Sequence, residues 1–191
     1  MVRIGPTRYR VDEPLPLHAR ALLNRISPDT PTIGAEIGVF QGRLSLAILR
    51  ERPLLQLYLV DLWDHSPQSK SPMVRRFSRK RWDRIYTQAH VRLRFAGERA
   101  CFVRADSVVA AESSPPLDFV FIDDDHSSVG CKRSLEAWYP KIKPGGWLGG
   151  HDYHSTGRFP GVYQAVTQFC KENSLDIKTD IGHTYFVKVP I

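Results

Sequence analysis

The chain has 191 residues, a formal net charge of +7, 42% hydrophobic and 25% charged residues, which fits one ordinary globular domain and excludes disordered or fibrous classes. No run approaches the roughly 18 to 20 continuous apolar residues of a membrane helix, and the opening MVRIGPTRYRVDEP lacks a signal peptide's apolar core, so a cytoplasmic location without a membrane partner is expected. Cys101, Cys131 and Cys170 are far apart and form no ligand-like pair, so they read as free thiols; the positive charge favours anionic partners without naming one.

In chain order, residues 1–30 read as a lead-in segment rich in Pro and Arg with one amphipathic helix, Leu17 to Ile26, placed to cover the sheet or the site. Residues 31–191 read as one domain. A strand over Thr32 to Gly38 ends in glycines and passes into a helix over Arg43 to Arg50. Leu57 to Asp61 is a second strand, followed by a polar loop and a long basic helix from about Met73 into the Arg90s. Cys101 to Arg104 and Asp118 to Asp123 are the third and fourth strands. A helix from about Ser128 to Ile142 leads through Lys143-Pro144-Gly145-Gly146 into a fifth strand, Trp147 to Gly150. A helix from about Gly161 to Asn173 and two strands, Leu175 to Lys178 and His183 to Val189, close the chain. Continuous apolar strands alternating with helices predict an α/β fold: a Rossmann-like, doubly wound, mostly parallel seven-stranded sheet with helices on both faces. Such sheets bind ligands beyond the strands' carboxyl ends.

The acidic and glycine motifs fall at those ends. Gly34, Gly38 and Gly42 are spaced GxxxGxxxG, which permits a tight turn and close ligand approach but departs from the GxGxxG of dinucleotide sites. Asp61, twenty-three positions beyond Gly38, is placed to accept bonds from ribose hydroxyls. Asp106 has two open readings, a bond to an adenine amino group or a helix N-cap. Asp123-Asp124-Asp125-His126 puts three carboxylates in a row, which repel unless something positive is near, and a bound cation is the simplest remedy. His151 and Asp152, at the end of the fifth strand, add ligands to the same rim. Oxygen ligands suit magnesium or manganese, and histidine tilts the set toward manganese, iron or zinc.

Taken together, AEIGVFQGRLSLAIL, YLVDLWD, LDFVFIDDDH and IKPGGWLGGHDY resemble the class I S-adenosylmethionine-dependent methyltransferases, in particular a small group with ID-x-DH and GG-x(4)-HDY motifs. The resemblance spans residues 32–155 and makes 31–191 the methyltransferase domain. It implies that Glu36, Gly38 and Gly42 shape the methionine and ribose side of the cofactor pocket, that Asp61 holds the ribose, that Asp106 and Ser107 lie against adenine, and that Asp123 borders the cofactor. Related metal-dependent O-methyltransferases imply a metal held by Asp123, His151 and Asp152, with a catalytic base near Asp125. The histidine at 151 stands where those enzymes carry an acid. Ser128 and Ser134 replace an aromatic and an acid often found in the closer group.

Methyl transfer from a sulfonium is a direct displacement, so the protein must align donor and acceptor and manage the acceptor's proton. The expected reaction is O-methylation of a small-molecule hydroxyl (a sugar, a phenol or another natural product), with Asp125 or His126 taking the proton and a magnesium or manganese ion assisting. His126 as a capping or core residue stays open. Two alternatives remain. One is a nucleic-acid methyltransferase that docks RNA on the basic segment Arg75, Arg76, Arg79, Lys80, Arg81 and Arg84, with Trp82 and Phe77 as stacking groups; the bland reading of that segment is a solvated helix face. The other is a cofactor-binding protein without turnover. A homodimeric assembly also stays open.

Overall fold

A computed structural model of the chain describes residues 15–64 and 77–191. Seven strands form one sheet in the order β3-β2-β1-β4-β5-β7-β6. They are β1 (Thr32–Ile37), β2 (Leu55–Asp61), β3 (Ala100–Arg104), β4 (Leu117–Ile122), β5 (Ile142–Gly150), β6 (Ile177–Asp180) and β7 (Thr184–Lys188). The first five pair in parallel, whereas β7 runs antiparallel to both β5 and β6. The helices are α1 (Leu17–Leu23), α2 (Arg43–Glu51), α3 (Arg79–Leu93), α4 (Ser107–Glu112), α5 (Ser128–Trp138) and α6 (Pro160–Glu172).

Strand side chains alternate between two cores. Leu57, Leu59, Phe119 and Phe121 join Ala19 and Leu22 of α1, Ile48 of α2 and Trp82 of α3 on one face. Ile37, Val60, Val120 and Ile122 join Ala110 of α4, Leu135 of α5 and Val166 of α6 on the other. The period of two along buried strands therefore requires helices on both sides. α1 shares this core, and Arg25 just beyond it donates to Ala21 O and to Asp180 of β6 (2.6 and 2.7 Å).

Several boundaries differ from expectation. α1 stops at Leu23 rather than Ile26. α5 ends at Trp138, where Pro140 helps to close a 3₁₀ turn over Tyr139–Lys141, and Ile142 already belongs to β5. β5 thus runs through Pro144-Gly145-Gly146, with a register shift against β4 between Leu117 and Phe119. β6 lies two residues later than expected, because Ile177 pairs with Val187. The short helix α4 was foreshadowed only by the N-cap reading of Asp106 and was not placed among the expected elements. The expected helix start at Met73 lies outside the described residues.

Candidate active site

Register builds the site. Ile37 stands opposite both Val60 and Ile122, and Ile122 opposite Gly150, so the next residues, Gly38, Asp61, Asp123 and His151, emerge side by side at one rim. The chain departs from β1 and β4 in opposite directions, which opens the crevice between their carboxyl ends. There Gly38 has φ +91°, and a Cβ on it would stand 2.2 Å from the Asp123 carbonyl oxygen. Only glycine meets both demands.

Glu36 is buried under the glycine loop, and its Oε2 accepts a 2.5 Å bond from Ser45 on α2. Burial pushes its carboxyl up to about 8; the Ser45 bond opposes this, and the charges of Asp123 and Asp61 add to it. Asp61 joins two turns, accepting from the Phe40 and Trp63 N–H groups (both 2.8 Å), while the Trp63 indole donates to the Phe40 carbonyl (2.8 Å). Both Phe40 and Trp63 have positive φ, +50° and +41°, a conformation held by surrounding bonds. Burial raises the Asp61 pKa, opposed by these backbone bonds.

Of the two readings for Asp106, the N-cap is formed: its Oδ1 accepts from Val108 N (3.0 Å) and Val109 N (3.5 Å). Ser107 turns inward, accepting from the Trp138 indole (3.0 Å) and sharing a bond with Ser134 (3.0 Å). Gly42, also with positive φ, is the N-cap residue of α2.

The three consecutive acids take different directions. Asp124 points inward and accepts a 2.5 Å bond from Ser134, while burial pushes its carboxyl to about 7. Asp125 folds back over the start of α5, where its Oδ1 accepts from Ser127 N (2.8 Å) and its side chain occupies the space a Cβ on Gly130 would need. Asp123 alone stays at the rim, and the positive charge it needs is supplied by imidazoles. His126 Nε2 lies 3.3 Å from Asp123 Oδ1 and 2.8 Å from Asp152 Oδ2; His151 Nδ1 lies 3.8 and 3.4 Å from the same two atoms. Burial disfavours charge on both imidazoles, but the two carboxylates outweigh it and raise His126 to about 9 and His151 to about 10. Burial likewise disfavours charge on Asp123 and Asp152, yet the imidazoles hold both below the usual carboxylate range. Asp152 reaches back to the cluster through a positive φ of +59°.

Asp123, His126 and Asp152 each offer a ligand atom within 4.8 Å of the others. The sequence reading grouped Asp123 and Asp152 with His151; in the fold it is His126 that completes the trio, between the two carboxylates and against the Phe159 ring at 4.1 Å, while His151 stands 3.4 to 3.8 Å from them. It also adds a residue that sequence reasoning missed. His18 of α1 packs on His151 with ring centroids 4.9 Å apart, and burial followed by the His151 charge lowers its pKa. The only sequence signal was a histidine in the lead-in helix expected to cover the sheet or the site.

On the other side of the glycine loop, Arg79, Lys80, Arg81 and Arg84 form a solvated face, whereas Arg75 and Arg76 lie outside the described residues. Trp82 is 3% exposed and packs against Phe40 and Phe77, and Phe77 lies under the Arg81 guanidinium at 3.7 Å. Trp82 is thus a core residue, not the stacking platform the sequence suggested. A cavity of about 460 Å³ opens here, outside the acidic rim, lined in part by Phe40 and Gln41.

The strand order, the glycine turn and the acids at the carboxyl ends of β1, β2 and β4 define a Rossmann-like methyltransferase fold. The sequence of residues 35–153 matches the family described as a methyltransferase domain, and the chain belongs to that family: it is a class I S-adenosylmethionine-dependent methyltransferase. No curated protein matches the sequence. Among solved structures it is similar to the O-methyltransferase NovP (16% identity, 91% of this chain and 78% of that one, TM-score 0.62). It is also similar to the calicheamicin methyltransferase CalS11 (15%, 90% and 77%, TM-score 0.61) and to a putative caffeoyl-CoA O-methyltransferase from Staphylococcus aureus (13%, 84% and 76%, TM-score 0.60). At these identities the likeness concerns the fold.

Proposed function

We propose that the protein methylates a hydroxyl group of a small molecule (a sugar, a phenol or a related natural product) and that Asp123, His126 and Asp152 hold a divalent cation beside the acceptor. The observation that carries this reading is the gathering of those three ligand atoms within 4.8 Å, next to Gly38, at the crevice of the sheet. O-methylation is further supported, at the level of fold analogy, by the activities named for NovP and the caffeoyl-CoA enzyme.

The charge distribution suits a cationic donor. Glu36, Asp61 and Asp123 lie close enough for their charges to raise the Glu36 pKa, and a sulfonium with its ammonium group relieves that repulsion. Glu36, Gly38 and Gly42 then face the methionine side, Asp61 faces the ribose, and Asp106 with Ser107 borders the adenine. In the transfer, the acceptor oxygen forms a bond to the methyl carbon as the carbon–sulfur bond breaks, leaving a neutral thioether and releasing the hydroxyl proton. A divalent cation bound at the rim would lower the hydroxyl's pKa. Two carboxylates with imidazole suit manganese, iron or zinc better than magnesium, which prefers all-oxygen surroundings. His126 and His151 share the same carboxylate partners; a cation taking over those carboxylates would remove what holds the imidazoles protonated, and the imidazole that does not ligate would then be free to take the proton. Asp125, turned onto Ser127, positions the loop that carries His126. Burial of Trp82 weighs against the RNA-docking alternative.

The test is calorimetric titration of S-adenosylmethionine with and without manganese or magnesium, followed by turnover on a panel of phenols and sugars. Cofactor binding that weakens at least about tenfold in Asp61→Ala, and turnover lost in both Asp123→Ala and Asp152→Ala, is the expected result. Full turnover in both rim variants would rule out the assigned role of the cluster.

A further inference from the structure

The acidic rim does not account for the molecule's most concentrated positive charge. Lys80, Arg81 and Arg84 line the cavity of about 460 Å³ between the first turns of α3 and the glycine loop, a volume in the range of small-molecule sites. Among the described residues, Lys80 and Arg84 make no ion pair. The neighbouring acids are engaged elsewhere: Asp83 bonds Arg104 at 2.9 Å, and Asp64 lies 3.9 Å from Arg79. Arg81 rests on the Phe77 ring, an arrangement that leaves its charge uncancelled.

The helix end adds to this. Ser78 is the N-cap residue of α3, yet its side chain makes no capping bond, and the first turn holds no acid. Ser78 also lines the cavity. A helix N-terminus with uncommitted N–H groups attracts anions, and here it coincides with three cations and a concavity. Guanidinium groups suit phosphate oxygens in particular. Gln41 and Gln88, bonded to each other at 3.3 Å, offer further polar contacts, while Phe40 and Ile85 supply an apolar wall.

We propose that this cavity binds the phosphate or diphosphate group of a phosphorylated small-molecule acceptor. The cavity adjoins the cofactor loop through Phe40 and Gln41, but Glu36, Gly38, Asp61, Asp106 and Asp123 do not line it. It is nonetheless close to the reacting end: Phe40 follows two residues after Gly38, which abuts Asp123, and two residues of chain span at most roughly 7 Å. A phosphate held at Lys80 and Arg84 would leave the remainder of the acceptor free to reach the rim. That the ligand is the acceptor rests on the methyl-transfer reading; that the cavity binds phosphate does not. An extended RNA strand is disfavoured because, among the described residues of the basic segment, Trp82 is buried and Phe77 is covered by Arg81, which leaves neither proposed stacking ring open.

Calorimetric titration of inorganic pyrophosphate into the full chain, alone and with saturating S-adenosylmethionine, tests this. The comparison is the double variant Lys80→Gln/Arg84→Gln, whose melting temperature and cofactor affinity report that it is folded. The expected result is pyrophosphate binding that persists with cofactor present and weakens at least about tenfold in the variant, with cofactor affinity unchanged. Absence of pyrophosphate binding, or binding indifferent to the double substitution, overturns the site. Displacement of pyrophosphate by the cofactor overturns it too, by assigning the cavity to the cofactor's own carboxylate. Tight binding of a short single-stranded RNA without pyrophosphate binding overturns it in favour of a nucleic-acid surface. If the cofactor fails to bind while pyrophosphate still does, the methyl-transfer reading falls and the phosphate site stands.

Discussion

Two charged regions flank the glycine loop, and they treat their charge in opposite ways. At the ends of β4 and β5, Asp123 and Asp152 are neutralised from within by His126 and His151 at 2.8 to 3.8 Å. At the start of α3, Lys80 and Arg84 stand without counter-charges among the described residues, around a cavity. A region balanced by its own side chains is preorganised and changes state only when protons leave or a metal replaces them. A region left unbalanced on the surface costs little, because water solvates it, and it gains its partner only from outside.

The largest expected difference between the two lies in turnover. Asp123→Ala should lower kcat/KM for an identified acceptor by about 10²-fold or more, as loss of a preorganised electrostatic group does. Arg84→Ala should instead raise KM for a phosphorylated acceptor with little change in kcat, the pattern of lost uniform binding. Steady-state kinetics on both variants checks the contrast, and equal effects on kcat would erase it.

Stability should divide the same helix. Trp82→Ala removes a buried indole from the core and should cost about 3–5 kcal/mol, whereas exposed Arg84→Ala should leave the melting temperature nearly unchanged. Thermal unfolding of the two variants measures this directly.

The third expectation concerns pH. His126 and His151 have folded pKa values raised to about 9 and 10 from an ordinary 6.5. The folded state therefore holds protons that the unfolded state releases, and their stabilising contribution is complete below about 6.5 and lost as pH rises toward 9 to 10. Asp152, held below its ordinary 3.8, contributes in the opposite sense, with stability present above that value and lost on acidification. Melting curves from pH 6 to 10 should show a decline that flattens in Asp152→Asn, while Lys80→Gln/Arg84→Gln follows the wild-type slope.

The smallest effect is expected at Glu36. Its folded pKa near 8 means that the folded state binds a proton the unfolded chain gives up above about 4.5, so this residue destabilises the fold increasingly between those values. Glu36→Gln should raise stability by about 1 kcal/mol near pH 8, roughly 2–4 °C in melting temperature, while weakening cofactor affinity. A variant that is no more stable at pH 8 than at pH 5, relative to wild type, would contradict the assigned cause.

Much of this was legible in the sequence, for a reason visible in particular residues. The apolar runs ending in Gly38, Asp61 and Asp123 carry both strand period and strand end, so the parallel sheet and the place of the acids follow from one pattern. The short helix α4 left only its cap, Asp106, as a signal, and six residues carry too little periodicity to be seen. The β5 boundary was missed because Pro144 and two glycines read as a turn, although they lie within the strand.

What the sequence alone determined was the fold class and the rim of glycine and acids at the strand ends, because burial on both faces and glycine at the crevice are local demands written in residue type. Tertiary structure decided the pairing. It set Asp123 at the rim, Asp124 inward and Asp125 back on α5, brought His126 and His18 to carboxylates or imidazoles far along the chain, and sank Trp82 into the core beside a cationic cavity. Those outcomes depend on which elements pack together, and distance between side chains from different elements is a property of the packed molecule.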